Sequence, residues 1–304
     1  MGLKRSKQAV TALLRRYTVA IGAALLISSC ATVSPTGGAK STLWKAHGDH
    51  NTVYLLGSIH VLPLSAYPLH PALQRAFNDS SQIVFEVDLS AISQRDVLQE
   101  FEQVGVYPPG DDLAHHVSPA TLTILKIVLA KLDISYEQAK RYKPGLLAEL
   151  ITSRYTELAG FREDLGVDHY FYAQAKATHK PVLGLETVRD QARVLNADDT
   201  AGERDLVEAI ANLPASKAVL EELVRAWKYG RINKLDRLLN QDEREDPKSF
   251  EAMFARRNQK WLPQVEQFLH ADKNYLVIVG SGHLVGDHGL VRALQDRGYR
   301  VDQL

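Results

Sequence analysis

Near each end of this 304-residue chain an apolar segment runs into the same short signature. Residues 53–56 (Val-Tyr-Leu-Leu) lead into Gly57-Ser58-Ile59-His60, and residues 276–279 (Leu-Val-Ile-Val) lead into Gly280-Ser281-Gly282-His283. Segments this apolar along their whole length suit strands covered on both faces, and so a sheet with helices on each side. Glycine lets the chain turn sharply off a strand. Each histidine is thereby carried over the carboxyl edge of the sheet, where open α/β folds bind ligands.

The rest of the chain fits that frame. Residues 43–46 and 52–56 read as a hairpin around a turn at 47–51, and a strand follows at Gln82–Val87 after a short helix at 71–78. Residues 93–160 are helical in pattern, punctuated by Pro108-Pro109-Gly110 and Pro144-Gly145. A helix at 167–178 and a strand at 181–185 come next, then long amphipathic helices at 205–229 and 247–269. A strand at 275–279, a helix at 289–297 and a strand at 299–302 close the chain. With 45% hydrophobic residues a substantial core is available and wholesale disorder is excluded. The pattern predicts an α/β fold, with a central mostly parallel or mixed β-sheet, a large helical insertion and a site at the strand carboxyl ends. Residues 42–304 are expected to form one domain.

Acidic residues stand at two further strand ends. Glu86 interrupts the apolar run Ile83-Val84-Phe85, and Glu186 follows the strand at 181–185. A buried carboxylate must be paired, protonated or bound to a cation. If the strands are parallel neighbours, His60, Glu86, Glu186 and His283 converge on one cleft. Such a mixed nitrogen and oxygen set suits zinc, manganese, cobalt or iron. Other residues have blander readings: His47 and His50 as solvated turn residues, Trp227 and Trp261 as packing. The adjacent His115 and His116 are not expected to point the same way.

The N-terminus is a targeting segment. Five basic residues and no acidic ones precede Cys30, and residues 18–27 form an apolar run too short to span a bilayer. Ile27-Ser28-Ser29-Cys30 resembles the bacterial lipobox, which implies cleavage after residue 29 and acylation of Cys30. Residues 30–41 then form a tether. Ala31, rather than aspartate, directly follows the cysteine, which implies an outer-membrane anchor facing the periplasm. The mature protein carries a net charge of −5 and offers no basic excess for nucleic acid. One cysteine excludes an internal disulfide framework.

Taken together, Tyr54–Val61 (YLLGSIHV), Phe85-Glu86-Val87-Asp88, Lys180–Thr187 (KPVLGLET), Arg257-Asn258 and Gly280-Ser281-Gly282-His283 resemble the TraB/GumN family. That family is related to the Tiki proteases and more distantly to erythromycin-esterase-like hydrolases. The resemblance implies a metal-dependent hydrolase, of peptidase type, acting on a peptide or small-molecule substrate. His60, His283 and Glu186 would hold a divalent ion, and Glu86 and Arg257 would be catalytic. As general base towards a metal-activated water, Glu86 is expected to have a pKa raised by its apolar strand. Arg257 would stabilise negative charge on the attacked carbonyl oxygen. Serine-hydrolase and zincin motifs are absent from the sequence. A dinucleotide fingerprint at residues 280–286 lacks the later strands that fold requires. The alternative is a lipoprotein that binds haem or a metal without catalysis, and haem would need no carboxylate beside it.

Overall fold

The computed structural model describes residues 40–88, 92–194, 202–240 and 246–304. The expected leader, the expected acylation site Cys30 and nearly all of the expected tether lie outside them. The elements are β1 (Leu43–His47), β2 (Thr52–Ser58), α1 (Pro71–Asp79), β3 (Gln82–Val87), α2 (Gln94–Gly105), α3 (Pro119–Lys131), α4 (Tyr136–Ala139) and α5 (Pro144–Leu158). They continue with α6 (Val167–Ala177), β4 (Val182–Glu186), α7 (Val188–Val194), α8 (Gly202–Lys228) and α9 (Ile232–Leu239). The last are α10 (Pro247–Phe250), α11 (Arg256–Leu269), β5 (Tyr275–Gly280), α12 (Leu290–Asp296) and β6 (Val301–Gln303).

The strands make a six-stranded sheet in the order β4-β3-β5-β2-β1-β6. β4, β3, β5 and β2 run parallel, while β1 is antiparallel to both β2 and β6. The sheet is thus mixed, with a parallel part that holds all four strands whose ends carry the candidate residues. The two matched signatures are direct neighbours: Leu56 pairs with Ile278 and Ser58 with Gly280. Ser281 Oγ donates to the Ser58 carbonyl at 2.9 Å, tying one signature to the other. Gly57 makes this possible, because a Cβ there would stand 2.8 Å from Ser281 Oγ.

Two apolar clusters hold the molecule. The first lies on the sheet, where Leu55, Leu56, Ile83, Val84, Val277 and Ile278 pack with Phe77, Phe171, Trp261 and Val265. Each such side chain contributes about 1.5–3 kcal/mol on leaving water. The second belongs to the helical insertion and joins Phe101, Leu125, Leu129, Leu147 and Ile151 to Val188, Leu206 and Leu213. The helical run at 93–160 divides where the sequence supplies caps. Ser118 Oγ accepts from the Thr121 amide at 3.2 Å while Pro119 fills the first position of α3.

The expected helix over 247–269 is interrupted. A π-helical turn at Glu251–Ala255 separates α10 from α11. Such turns widen the helix by one residue and often serve functional sites. Here the turn directly precedes Arg257 and Asn258. α9 had no expectation of its own. Its eight residues pack against the end of α8 with Leu235 buried.

Candidate functional site

β4, β3, β5 and β2 bring Glu186, Glu86, His283 and His60 to one sheet edge. At the centre of that edge stands Arg257, a residue the strand pattern does not reveal. Its Nη2 donates to Glu86 Oε2 at 2.8 Å and to Glu186 Oε1 at 2.7 Å, and its Nε donates to Glu186 Oε2 at 3.1 Å. Nη1 donates to the Met253 carbonyl, back across the π-helical turn, and meets His283 Nε2 at 3.0 Å. The guanidinium also lies 4.7 Å from the ring centre of Trp261, one turn further along α11.

The Leu-Glu-Thr element around Glu186 has a local cause. Thr187 Oγ1 accepts from the Asp190 amide while Asp190 Oδ2 accepts from the Thr187 amide, a reciprocal cap that starts α7. The cap orients Glu186 inward, and it places Gln191 where Nε2 donates to Glu86 Oε2 at 2.9 Å.

Glu86 departs from its expected chemistry. Burial pushes its pKa up, but the facing His283 ring, Arg257, His60 and the Gly280 amide outweigh burial and hold it down at about 2. The Gly280 amide donates to Glu86 Oε1 at 2.7 Å. A carboxylate so fully satisfied is a weak proton acceptor, which corrects the raised pKa that an apolar strand alone suggests. Glu186 is shifted the other way, because burial outweighs its hydrogen bonds to Arg257.

His283 is 2% exposed, wedged against Trp261 with ring centres 4.4 Å apart and edge-on to Phe254 at 5.0 Å. Its tautomer follows from its neighbours. Asn258 spends its amide hydrogens on the His283 and His288 carbonyls, so its Oδ1 must accept from His283 Nδ1, at 2.8 Å. Nε2 is then a lone pair facing Arg257. Burial drives the pKa of His283 down to about 3, so the ring is neutral.

His60 is its opposite, with 64% of its side chain exposed and Nδ1 3.0 Å from Asp168 Oδ1. Asp168 lies in the first turn of α6, and α6 is pinned to the strand end by the Val167 amide, which donates to the Ile59 carbonyl at 3.1 Å. The Asp168 carboxylate raises the pKa of His60 despite desolvation. Burial pushes Asp168 itself up, but the His60 ring and the helix-end amide hold it at about 2. Glu149, on α5, is a third acid near His60. Burial raises its pKa and the His60 charge lowers it.

Sequence reasoning singled out neither Asp168 nor Glu149. Asp168 carried one signal, as an acid in a helix first turn just after Gly166. Glu149 carried none, since only packing brings the insertion over the sheet edge.

Gly280 marks the open point between the groups. A Cβ built there would stand 3.3 Å from Glu86 Oε1 and 3.9 Å from His60 Nε2. The bare glycine leaves that space to a ligand or a water.

The expected metal set does not close around an ion in this arrangement. The one lone pair of His283 Nε2 and both oxygens of Glu186 are committed to Arg257, a resident cation. Among the described residues no three histidine, cysteine, aspartate or glutamate side chains face one another as a metal cluster.

Elsewhere, His115 and His116 do point to one partner, correcting the expectation. Nδ1 of the first and Nε2 of the second reach the two oxygens of Asp111, at 2.9 and 2.8 Å. His47 bonds Asp302 across the β1–β6 pair at 2.9 Å. Trp227 is buried and donates to the Gly57 carbonyl at 2.7 Å, bracing the first signature.

The model of the TraB/PrgY/gumN family matches residues 42–303. The chain belongs to that family. Relatives include the uncharacterized protein YbaP of Escherichia coli (strain K12), 22% identical over 268 residues, which cover 84% of this chain and 97% of that protein. The YbaP protein of Shigella flexneri matches to the same extent. No solved structure matches the chain. The TraB/PrgY/gumN match begins at residue 42 and leaves out residues 1–41.

Proposed function

We propose that this TraB/PrgY/gumN protein is a cell-envelope hydrolase of acyl bonds, peptide bonds first among them, and that its proton-transfer groups surround His60. The carrying observation is the accessible His60 ring, with Asp168 Oδ1 3.0 Å from Nδ1 as an ion-pair contact and Nε2 beside the open face of Gly280. Asp168 favours the imidazolium, which suits donation of a proton to a leaving group or to a developing oxyanion. Glu149, a carboxyl with a raised pKa near that ring, is the acceptor for the proton of the attacking water. Glu86 and Glu186 hold Arg257, and Arg257 supplies positive charge behind the reacting carbonyl. On this reading Glu86 positions the site, and the ionised form of Glu149 is the base.

The anchor reading rests on the lipobox at residues 27–30 and on the short apolar run before it. Among the described residues no helix is long and apolar enough to cross a membrane.

A second reading has its own support. A carboxylate on His60 Nδ1 with Nε2 turned outward is how metal-binding histidines are commonly oriented. A divalent ion held by His60 and the neighbouring acids would activate water there, with His283 remaining structural.

The test is hydrolysis of a quenched-fluorescence peptide library by the purified mature protein, with elemental analysis of the same preparation. Cleavage that falls at least about a hundredfold in His60→Ala and Glu149→Gln, with unchanged circular dichroism, supports the reading. A stoichiometric divalent ion lost in His60→Ala transfers the site to the metal reading. Cleavage unaffected by either substitution overturns both. A Soret band on haem addition that His60→Ala abolishes would favour the non-catalytic alternative.

A further inference from the structure

Away from the strand ends, the turn between α8 and α9 gathers exposed cations and exposed apolar side chains at the root of the tether. Arg225, Arg231, Lys234 and Arg237 line an open cleft of about 280 Å³ with a single acid, Glu222. Lys234 pairs with Glu222 at 2.7 Å and the same acid also acts on Arg225 and Arg237, so four cations, three of them exposed arginines, share one carboxylate. The imbalance is a positive concavity on a protein whose mature chain is net acidic.

Apolar groups rim the same place. Tyr229 is exposed beneath Arg231, whose guanidinium lies 5.7 Å from the ring centre. Lys228 donates to the Ala66 carbonyl at 2.9 Å, so the turn carrying Leu64, 71% exposed, sits against the end of α8. Leu304 is exposed as well, and its amide donates to the Leu43 carbonyl. An exposed tyrosine and leucines beside arginines are the composition of a surface that meets a membrane interface.

The described chain enters at this face. Gln303 Nε2 donates to the Ser41 carbonyl at 2.9 Å and to the Gly230 carbonyl at 3.0 Å. The Lys40 carbonyl lies 2.5 Å from where a Gly230 Cβ would be. Lys40 is ten residues after Cys30, a span that reaches at most about 33–36 Å when fully extended. A lipid on Cys30 therefore attaches the domain to the bilayer from this face while leaving its orientation free.

We propose that this face docks on an anionic phospholipid surface, the arginines taking headgroup phosphates and Leu64, Tyr229 and Leu304 entering the interface. Docking would fix the orientation of the anchored domain, which a leash alone leaves free. The proposal rests on acylation of Cys30, and the experiment keeps the two apart.

The acylated mature protein is placed in vesicles of phosphatidylcholine alone or with roughly one third phosphatidylglycerol. Leu64→Cys supplies a thiol for an environment-sensitive fluorophore. Ile127→Cys, exposed on α3, is the control. α3 packs on the opposite end of α8, where Thr121 Oγ1 donates to Glu203, on the order of 35 Å along the helix from Arg225. A blue shift at position 64 in anionic vesicles is expected, reversed by about 0.5 M NaCl and absent at position 127. It should also vanish when Arg225→Glu, Arg231→Glu and Arg237→Glu are combined. Equal spectra in the two vesicles, or equal shifts at both labels, overturn the proposal. Mass spectrometry of the same preparation reports the acyl chains. Their absence defeats the anchor reading alone, and docking is then scored by sedimentation of that protein with the same vesicles, for which failure to bind the anionic ones is the overturning result.

Discussion

His60 and His283 end the same signature on neighbouring parallel strands, yet they occupy opposite chemical states. One ring is largely in solvent, raised in pKa by Asp168 and free at Nε2. The other is 2% exposed, neutral, and bonded at both nitrogens. The difference comes from what packs on each strand end. α6 lays a carboxylate beside His60, and α11 lays an aromatic, an amide and a guanidinium over His283. A repeated motif thus marks a repeated backbone path and leaves the two rings in different surroundings: the first is exposed beside Asp168, and the second is buried against Trp261.

The comparison breaks or holds first at Arg257, which belongs to the His283 side. Arg257→Met leaves Glu86 and Glu186 buried without their cation, and should cost about 3–5 kcal/mol in urea denaturation. Arg257→Lys should restore little of it, because the paired contact with Glu186 needs a planar fork. A loss under about 1 kcal/mol would mean that the two acids are not held as charges.

The two histidine substitutions sharpen the contrast directly. His283→Ala opens a cavity beside Trp261 and strips Asn258 Oδ1 of its donor, so a loss on the order of 2–4 kcal/mol is expected. His60→Ala removes an exposed ring and should stay within about 1 kcal/mol while abolishing hydrolysis. Similar stability losses in the two variants would erase the distinction.

Acidification separates them by sign. The folded-state pKa of His283 lies below its unfolded value, so the unfolded chain binds the proton first. Stability should fall as pH drops below about 6.5 and continue to fall towards 3. Glu86 and Asp168, both depressed to about 2, add a loss that begins only below about 4.5. His60 runs the other way: its small contribution is complete below about 6.5 and is lost as pH rises through its elevated pKa. Denaturation midpoints across pH should lose their first acid limb in His283→Phe. That limb surviving intact would assign it elsewhere.

The smallest expected effect is at Asp168. Asp168→Asn should return the His60 pKa, read by imidazole NMR, towards about 6.5 with little change in the melting temperature. The His283 resonance should stay unprotonated throughout the range above pH 4. A His60 titration indifferent to this substitution would remove Asp168 from the site.

Much of this arrangement was readable beforehand. The apolar runs ending in glycine disclosed parallel buried strands, because no amphipathic alternation fits a strand covered on both faces. The acid inside Ile83–Val87 disclosed a carboxylate that had to be paired, protonated or bound to a cation, because a lone buried charge is too costly. Arg257 was visible only through family likeness. In a helix rich in charge, one more arginine carries no mark until the π-helical turn before it aims it inward.

Residue order alone therefore determined where strands end, which acids need partners and, with the family likeness, which chain positions share an edge. These follow from local constraints, namely backbone sterics at glycine, period-two burial and the cost of a lone charge. Only the tertiary structure decided which charge answers which. The Glu86 carboxylate is lowered in pKa, not raised, and Arg257, Gln191 and the Gly280 amide reach it from three separate elements. His60 and His283 diverge because α6 and α11 bring different partners across 108 and 25 residues of chain, Asp168 to one and Asn258 to the other. Proton affinity depends on everything within a few ångströms, and sequence neighbours supply little of that environment.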